Sequence, residues 1–582
     1  MKKHLSLITG ILFTFTGLLF TLTGLCFTQE ALKSTEEEYY DFLSLTGVVE
    51  RPTLGYRTLS DSVWNFQEVE SFEENEDGSY TKVRVPGAES DGNIWKKNNL
   101  GTTYTLWEPD SKADNWFARG LKQELTLRVY GPEWFNSYNT AVPYGQNDGA
   151  LWQGRGCNTA LTAGLRLEGY GFEFTFKPQL SWSQNKEFEL IKPNYGGELY
   201  KDKAEKYGYY GVPSIDAPQR FGDKAFWNYD WGDTEIRYSW HNFTFGFGTQ
   251  TIWLGPAYIN PIIHSNNAAS YPKIDIGLRK TDITMPFFGW DLGSIEARGW
   301  WGKLTESDWF DNDENNNDNL IAGISLSYQF PFFDALTLNF QRTMVSKFNN
   351  LSAYTLFDIF VPFMQAEAGV DESDGRASVS ASLNIPKAGF ILYMEWGRDD
   401  FQKAKYNFIR YPFHTQGWTA GLKKTLNFTT DVRSEILLEL TELVCSEDYT
   451  HLYKYYTTFY GHHRITQGYT NKGQWLGPGI GTGGNSQYLG INVYYPKGKT
   501  SLYVNRINPD LDYSWFINTY EQSMGADYLE TYLVFGMESS YFVRKDFLLS
   551  AFFKPTFILS KNYSYFGEDW NFNFGCNLSY KF

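Results

Sequence analysis

Hydrophobic and polar residues alternate without a break over residues 570–582. The apolar parity consists of Trp570, Phe572, Phe574, Cys576, Leu578, Tyr580 and Phe582. Successive side chains of a β-strand point to opposite faces of the sheet, so this pattern predicts a strand with one apolar and one polar face. A soluble sandwich would bury the aromatic face against a second sheet, whereas a transmembrane barrel would turn it towards lipid.

Comparable segments recur from residue 121 to the end of the chain. The clearest are residues 121–130, 171–182, 242–251, 295–303, 320–330, 335–342, 377–384, 389–396, 417–426, 435–443, 488–495, 500–506, 528–536 and 547–553. A closed barrel is the only β-structure that pairs every backbone N–H and C=O group inside a bilayer. With the weaker segments included, we predict an all-β transmembrane fold, a large antiparallel outer-membrane β-barrel of about 18 strands.

The composition favours a barrel over a helical membrane protein. Mean hydropathy is −0.43, and aromatic residues make up 18% of the chain. After the first 30 residues, no apolar run reaches the roughly 18 residues that a spanning helix needs. A barrel contacts lipid with only every second residue, so a low mean hydropathy is compatible with it. The net charge of −16 argues against a nucleic-acid partner, which would require a basic surface.

The N-terminal part of the chain has a different pattern. Residues 1–30 have the basic start and apolar stretch of a secretory signal peptide. Ser34 and Glu37 form a capping-box pattern at the start of a predicted short helix, which Gly47 would end. A second short helix is predicted over 54–63. The predicted organisation is a signal peptide (1–30), a periplasmic helical and irregular segment (31–118) and the barrel (119–582).

Several long connections separate the predicted strands. They are residues 131–158, 190–231, 254–274, 306–319, 345–376 and 462–487. In outer-membrane barrels the periplasmic turns are short and the extracellular loops are long. We therefore expect these connections to face the cell exterior or to fold into the lumen. Function most often lies on such loops.

Three of these connections carry motifs in a characteristic order. The motifs are Tyr138-Asn139 with residues 143–156, Trp253-Leu254-Gly255-Pro256-Ala257 with residues 264–269, and residues 461–489, joined by Met394-Glu395-Trp396-Gly397-Arg398. From about residue 54 to the C-terminus, the chain resembles the capsule-assembly Wzi family of outer-membrane proteins. The family's Trp-Gly-Pro-Gly element stands here as residues 253–257, with an inserted Leu and a final Ala.

The resemblance implies a barrel of about eighteen strands whose loops fill the lumen and whose small helical N-terminal element lies at the periplasmic end. It implies lectin-like binding of capsular or surface polysaccharide, with a role in capsule assembly or attachment and no reaction. The location implied is the outer membrane of a diderm bacterium, with surface-exposed loops. Phe582 resembles the terminal signal that the barrel-insertion machinery reads, and we expect a monomer.

Glycan binding needs flat aromatic surfaces for the C–H faces of sugars and polar groups for their hydroxyls. The long connections contain this mixture. The candidate polysaccharide-binding residues are Asn147, Asp148, Trp152, Arg155, Trp253, Asn266, Asn267, His462, Arg464, Tyr469 and Lys472. An alternative interpretation is that the same residues brace loops folded inside the lumen, because a filled barrel also needs satisfied polar groups. Both interpretations are compatible with the sequence.

No metal, cofactor or enzymatic activity is predicted. The acidic run 308–318 offers oxygen ligands for calcium, but it lacks the EF-hand spacing and is more simply a solvated hairpin tip. The neighbouring His462 and His463 would point to opposite faces of a strand. The chain has neither a G-x-S-x-G nor an H-E-x-x-H motif. The main alternative to a binding protein is a porin-like channel for small solutes or sugars, and a surface adhesin is a third.

Overall fold

The computed structural model describes residues 28–29, 32–75, 78–95, 105–107, 125–193, 198–200, 202–212, 215–285, 287–360, 373–399, 409–410, 412–446, 459–520 and 526–581. The strands of these residues close into a single antiparallel barrel, in which we count 18 membrane-spanning strands within the described part of the chain. The predicted fold class and strand number are confirmed.

The barrel strands are numbered here in chain order, and β3 and β4 are each interrupted once. They are β1 Thr126–Asn139, β2 Gly156–Gly169, β3 Phe172–Phe176 and Gln179–Ser183, β4 Phe226–Asp230 and Glu235–Trp240, β5 Phe243–Gly248, β6 Lys273–Thr284, β7 Asp291–Thr305, β8 Asp318–Gln329, β9 Leu336–Lys347, β10 Ser373–Ile385, β11 Phe390–Asp399, β12 Gln416–Asn427, β13 Arg433–Glu442, β14 Asn485–Tyr495, β15 Gly498–Asn508, β16 Thr531–Arg544, β17 Phe547–Leu559 and β18 Glu568–Tyr580.

The last strand closes the ring, with Asn573 of β18 opposite Asn139 of β1. The two faces of β18 are those that its alternation predicts. Asn571 and Asn573 are 0% and 2% exposed in the lumen, whereas Phe572 and Phe574 are 38% and 44% exposed on the outer wall. The outer wall is therefore the apolar, lipid-facing surface. Phe582 lies outside the described residues.

Connection length distinguishes the two ends of the barrel. Short turns join the strands at one end, over residues 170–171, 241–242, 285–290, 330–335, 386–389, 428–432, 496–497 and 545–546. Long loops join them at the other end, over residues 140–155, 184–225, 249–272, 306–317, 348–372, 400–415, 443–484, 509–530 and 560–567. In outer-membrane barrels the short turns face the periplasm and the long loops face the cell exterior.

One predicted connection, 131–158, is shorter in the structure, where the loop spans residues 140–155. Strand β1 continues to Asn139, with a register shift between Tyr130 and Glu133. In the sequence, the Gly131-Pro132 pair predicts a turn. A β-bulge accommodates both residues because the extra residue needs no partner in the ladder.

Strands β2, β4 and β6 are missing from the clearest predicted segments. β4 is broken between Asp230 and Glu235, which leaves two pieces too short to show a period. β6 carries several charged residues, one of which, Arg279, turns inward and lies 2.7 Å from Asp61 of the N-terminal segment. Buried ion pairs in the lumen therefore obscure the alternation that identifies the other strands.

The N-terminal segment contains the predicted first helix, α1 (Thr35–Ser44). The Ser34 hydroxyl accepts a hydrogen bond from the Glu37 N–H at 3.1 Å, and the Glu37 carboxylate accepts one from the Lys33 N–H at 2.7 Å. The other short elements are the helices Ala204–Tyr207, Ala353–Phe357 and Leu511–Tyr520 and the strands Thr28–Gln29, Val49–Glu50, Tyr56–Arg57, Val63–Phe66, Glu68–Glu74, Tyr80–Pro86, Thr105–Trp107, Trp253–Leu254, Thr470–Asn471 and Gln474–Trp475. None of the helices in the described residues is long and apolar enough to cross a membrane.

Helix α1 lies in the mouth of the barrel at the short-turn end. Phe42 stacks on Tyr494 of β14 with ring centroids 4.4 Å apart, next to the 496–497 turn. Asp41 accepts a hydrogen bond from Lys423 of β12 at 2.6 Å, and Glu38 pairs with Lys499 of β15. An aromatic face and an acidic face thus fasten the helix to the wall.

The predicted second helix, 54–63, is wrong. Tyr56–Arg57 forms a two-residue ladder with Trp253–Leu254 of the 249–272 loop. The backbone N–H groups of Leu54 and Tyr56 each donate to the carboxylate of Glu296 in β7 at 2.7 Å. The ladder and the contacts with Glu296 hold residues 54–57 against the loop and the barrel wall, in place of the first turn of the predicted helix.

The 249–272 loop folds into the lumen and is held by two wall carboxylates. Glu395 of β11 accepts a hydrogen bond from the Ile262 N–H at 3.1 Å, and Glu439 of β13 accepts from the three consecutive N–H groups of residues 258–260. Ile262 is completely buried. The prediction that loops fill the lumen is confirmed.

We expect α1 to stay docked until the pH falls below about 4, near the ordinary pKa of an aspartate. Burial alone would raise the pKa of Asp41, but Arg51 and Lys423 outweigh it and hold that pKa well below its usual value. The resulting stabilisation is present above the unfolded pKa and is lost as the pH falls through the folded one. Hydrogen exchange of the α1 amides, corrected for the intrinsic rate, should therefore be independent of pH from 7 to about 4.

The Asp41→Asn variant is the matched control for this prediction. It removes the titrating group and keeps the side-chain shape, so its protection should be lower at neutral pH and change less in acid. Loss of protection in the wild-type protein between pH 6 and pH 5 would contradict this role of Asp41.

Candidate functional site

Three loops meet at the extracellular end through one asparagine. The Asn267 side-chain oxygen accepts a hydrogen bond from the Asn147 N–H at 3.1 Å, and its amide donates to the Trp475 carbonyl at 3.1 Å. The Gly149 N–H donates to the Asn266 carbonyl at 2.8 Å. Residues 140–155, 249–272 and 459–484 are thereby joined into one hydrogen-bonded surface.

Two adjoining cavities open in this surface. The outer chamber has a volume of about 740 Å³ and the inner chamber about 290 Å³. Trp152 and Gln474 line both, so these two side chains form the boundary between the chambers. Both volumes are in the range of cavities that bind small ligands or one to two sugar residues.

The outer chamber combines aromatic surfaces with polar groups. Its aromatic lining residues are Trp152, Tyr207, Phe221, Phe226, Trp227 and Trp309, and its polar side chains are Asp223, Lys224, Asn228, Glu306, Ser307, Asp308, Lys472 and Gln474. The rings of Trp152 and Phe221 are 4.9 Å apart, and those of Tyr207 and Trp309 are 5.1 Å apart. The Trp152 indole N–H is buried and has no hydrogen-bond partner. A ligand hydroxyl beside this ring would satisfy it.

The inner chamber is narrower and is lined by hydrogen-bonding groups and rings. They include Tyr144, Asp148, Gln153, Tyr209, Tyr210, Gln219, Asn267 and Trp475. Gln153 donates a hydrogen bond to the Asp148 carboxylate at 2.7 Å. Burial nevertheless raises the pKa of Asp148 to about 6. Near neutral pH this carboxyl therefore exists in both protonation states and can accept or donate a hydrogen bond.

The structure brings four of the predicted site residues to the chambers: Asp148, Trp152, Asn267 and Lys472. Lys472 is half-exposed, and its ammonium group lies 3.6 Å from the Asp230 carboxylate. Asn147 instead lines a cavity of about 150 Å³ that also contains Asp148 in its wall. Whether any of these residues contacts a ligand stays a prediction.

The remaining predicted residues lie outside the chamber walls. Trp253 is completely buried and donates its indole N–H to the Ala257 carbonyl at 3.0 Å. Tyr469 is also buried, with the Arg376 guanidinium 4.0 Å from its ring centroid. Both side chains therefore pack inside the barrel. This is the position expected if these residues brace loops folded into the lumen, which is the alternative interpretation of the sequence.

Four polar members of the predicted set lie on the same loops and line neither chamber. The Arg155 guanidinium donates to the Thr140 carbonyl at 2.9 Å, and the His462 ring accepts from the Arg464 N–H at 3.3 Å. The Asn266 side-chain oxygen is buried without a partner. A binding role for these four residues stays a prediction.

Several residues of the outer chamber were not predicted from the sequence. Tyr207 and Phe221 come from the 184–225 loop, and Trp309 comes from the 306–317 loop. Only Trp309 has a sequence signal, because it is an aromatic residue inside the acidic run 308–318. Among the described residues, no group of three or more His, Cys, Asp or Glu side chains is arranged to hold a metal ion.

The fold is similar to that of a solved barrel, Wzi from Escherichia coli, described as an outer-membrane protein involved in group 1 capsule assembly and as a carbohydrate-binding β-barrel. The identity is 11%, the match covers 78% of this chain and 85% of that chain, and the TM-score is 0.51. At this identity the likeness shows the fold alone.

Two further solved structures are more distant. Pseudomonas putida OprB is 9% identical, with 82% of this chain and 99% of that chain covered and a TM-score of 0.35. A porin of Rhodopseudomonas blastica is 11% identical, with 78% and 100% covered and a TM-score of 0.30. No curated protein matches the sequence.

The family comparison is decisive because it covers most of the chain. Residues 154–510 match the family model of the capsule assembly protein Wzi, which is more than half of the 582 residues. The matched part includes most of the barrel. It also includes Gln474, which lines both chambers. The chain belongs to the Wzi family of capsule assembly proteins, and it is an outer-membrane β-barrel.

Proposed function

We propose that this protein binds surface or capsular polysaccharide in the two extracellular chambers and thereby helps to assemble or attach the capsule. The observation that carries the proposal is the position of Trp152. Its ring lines both chambers, and its buried indole N–H has no partner. An aromatic face supports the apolar side of a sugar ring, and the unused donor is suited to a hydroxyl.

A polymer suits two adjoining chambers better than a single small molecule does. Neighbouring sugar residues would occupy the outer and inner chambers, with the linkage passing Trp152 and Gln474. Aromatic stacking would give affinity in the outer chamber, and hydrogen bonds with groups such as Asp148 and Gln153 would set orientation in the inner one. The description of Escherichia coli Wzi as a carbohydrate-binding barrel supports this proposal.

The proposal includes binding without chemical conversion. Polysaccharide incubated with the protein should keep its chain length, measured by size-exclusion chromatography. We further propose that the barrel is a monomer inserted by the barrel-insertion machinery, and that the chain divides into a signal peptide (1–30), a periplasmic segment (31–118) and the barrel (119–582).

The direct test is titration of the full protein in lipid nanodiscs with polysaccharide purified from the source cell. We expect saturable binding. The Phe221→Ala variant should bind about fivefold more weakly, because it removes about 1 kcal/mol of ring packing at the chamber wall. The matched control is Phe245→Ala, whose ring lies exposed on the outer wall. A folded wild-type protein that does not bind the polysaccharide would refute the proposal.

A further inference from the structure

Two further cavities lie in the lumen between the inner chamber and the short-turn end. The first, the middle cavity, has a volume of about 150 Å³, and residues 144–146, Asp148 and Gln153 line both it and the inner chamber. The second, the short-turn cavity, has a volume of about 410 Å³ and is lined by the N-terminal segment and by strand ends beside the short turns. The two chambers and these two cavities therefore follow one another from the loop end of the barrel to the short-turn end.

Tyr258 of the 249–272 loop separates the middle cavity from the short-turn cavity. Among the described residues, it alone lines both. Its hydroxyl donates a hydrogen bond to the Glu38 carboxylate at 2.7 Å, and the ammonium nitrogens of Lys33 and Lys423 lie 3.7 and 4.1 Å from its ring centroid. Ammonium groups at this distance attract the aromatic ring. The tyrosine ring is thus a partition that charged groups fix in place.

The N-terminal segment supplies two of these three contacts. Lys33 immediately precedes α1 and also donates to the Tyr258 carbonyl, and Glu38 lies in the first turn of α1. The backbone of Tyr258 is held separately, because its N–H donates to Glu439 of the barrel wall at 2.7 Å. Withdrawal of the segment would therefore release the ring while the backbone stayed attached to the wall. A side chain released in this way can change rotamer and open the partition.

We propose that the lumen contains a gated passage for water and small ions, in which Tyr258 is the gate and the N-terminal segment is the latch that keeps it closed. The passage opens when the segment is drawn out of the barrel mouth on the periplasmic side. The middle cavity has polar walls and is smaller than sites that bind organic ligands, so it suits water and ions better than sugar residues. This inference is independent of the proposed polysaccharide binding.

The gate is tested with Tyr258→Ala in the full protein. We expect planar-bilayer recordings to show a steady ionic conductance about tenfold or more above that of the wild type. The matched control is Tyr488→Ala, because Tyr488 lines the middle cavity and not the short-turn cavity. This control should stay as closed as the wild type. Tyr258→Val, which also removes the ring but keeps more of the buried side chain, is the second variant if the alanine variant does not fold.

A thiol probe reports on the gate without the rest of the passage. Ser501 lines the middle cavity and is 7% exposed, so Ser501→Cys places a thiol behind the partition. The protein with its native cysteines gives the background reaction with a small, charged thiol reagent. We expect the added cysteine to react about tenfold or more faster when Tyr258→Ala is also present, because a closed cavity must first open to admit the reagent.

Tyr258→Phe tests the latch, because it keeps the ring and removes only the hydroxyl that donates to Glu38. We expect this variant to remain closed for most of a recording and to show brief openings about fivefold more often than the wild type. An opening frequency equal to that of the wild type would overturn the role of α1 as the latch.

The remaining outcomes decide between the parts of the proposal. A folded Tyr258→Ala protein with wild-type conductance and wild-type labelling would overturn the gate. Faster labelling without conductance would overturn the passage through the barrel. Equal conductance of Tyr488→Ala and Tyr258→Ala would show that cavity volume, and not the partition at Tyr258, controls the opening.

Discussion

Replacement of Trp152 with alanine is expected to lower the affinity for surface polysaccharide about 10- to 30-fold, a loss of roughly 1.4 to 2 kcal/mol. The substitution removes the aromatic side chain that lines both chambers. The side chain is partly buried and its N–H bonds no other residue of the described chain. No hydrogen bond of the fold is therefore lost with it.

The control for this prediction is Trp240→Ala. Trp240 is 64% exposed beside the short turn at the opposite end of the barrel. Both variants lose an indole ring, and only the first should lose affinity. Unfolding of each variant in urea shows whether stability has changed. A Trp152→Ala protein that is folded and binds with wild-type affinity would contradict the position assigned to the ligand.

The Glu439→Ala variant is expected to destabilise the folded barrel by about 3 to 5 kcal/mol and to open its lumen. The carboxylate accepts hydrogen bonds from the N–H groups of Tyr258, Ile259 and Asn260 at 2.7, 3.0 and 2.8 Å, and from the Tyr393 hydroxyl at 2.6 Å. Removal of this acceptor leaves three backbone donors, one of them fully buried, without a partner. The inner loop should then move to find water.

Two measurements check this prediction. Unfolding in urea from lipid vesicles gives the change in stability, and planar-bilayer recording gives the conductance. We expect the wild-type barrel to conduct little and Glu439→Ala to conduct more. Glu442→Ala, on the same strand at its extracellular end, removes a half-buried carboxylate and should change neither property.

The same recordings distinguish a binding protein from a porin-like channel. Large, steady, ohmic conductance of the wild-type protein would contradict an occluded lumen and support the channel. A Glu439→Ala barrel that is as stable and as closed as the wild type would show that this carboxylate does not hold the loop.

The barrel could be predicted from the sequence because its signal is local and repeated. In β18 each aromatic residue faces lipid and each asparagine faces the lumen. The alternation of apolar and polar residues in the sequence therefore identifies both faces of the strand. The signal fails where the lumen is charged. Arg279 of β6 is matched by an acidic residue of the N-terminal segment more than two hundred positions away, and no local pattern contains that partner.

The site was predicted only in part for the same reason. Trp152 and Asp148 stand in a loop whose mixture of rings and amides is visible in the sequence. Trp253 stands in an equally suggestive motif, but its ring packs inside the barrel with its N–H satisfied by the Ala257 carbonyl. Loop composition shows which side chains suit a sugar. Whether such a side chain lines a chamber or packs in the barrel interior depends on tertiary contacts, such as those of Glu439 with the 249–272 loop.

The most direct test of the account is a structure of the full protein in nanodiscs with a purified oligosaccharide fragment of the surface polysaccharide, determined by electron cryomicroscopy. The account predicts sugar density in the outer chamber against Trp152 and Trp309, continuing past Gln474 into the inner chamber, with the lumen below closed by the 249–272 loop. Sugar bound at the short-turn end, or threaded through an open lumen, would contradict it.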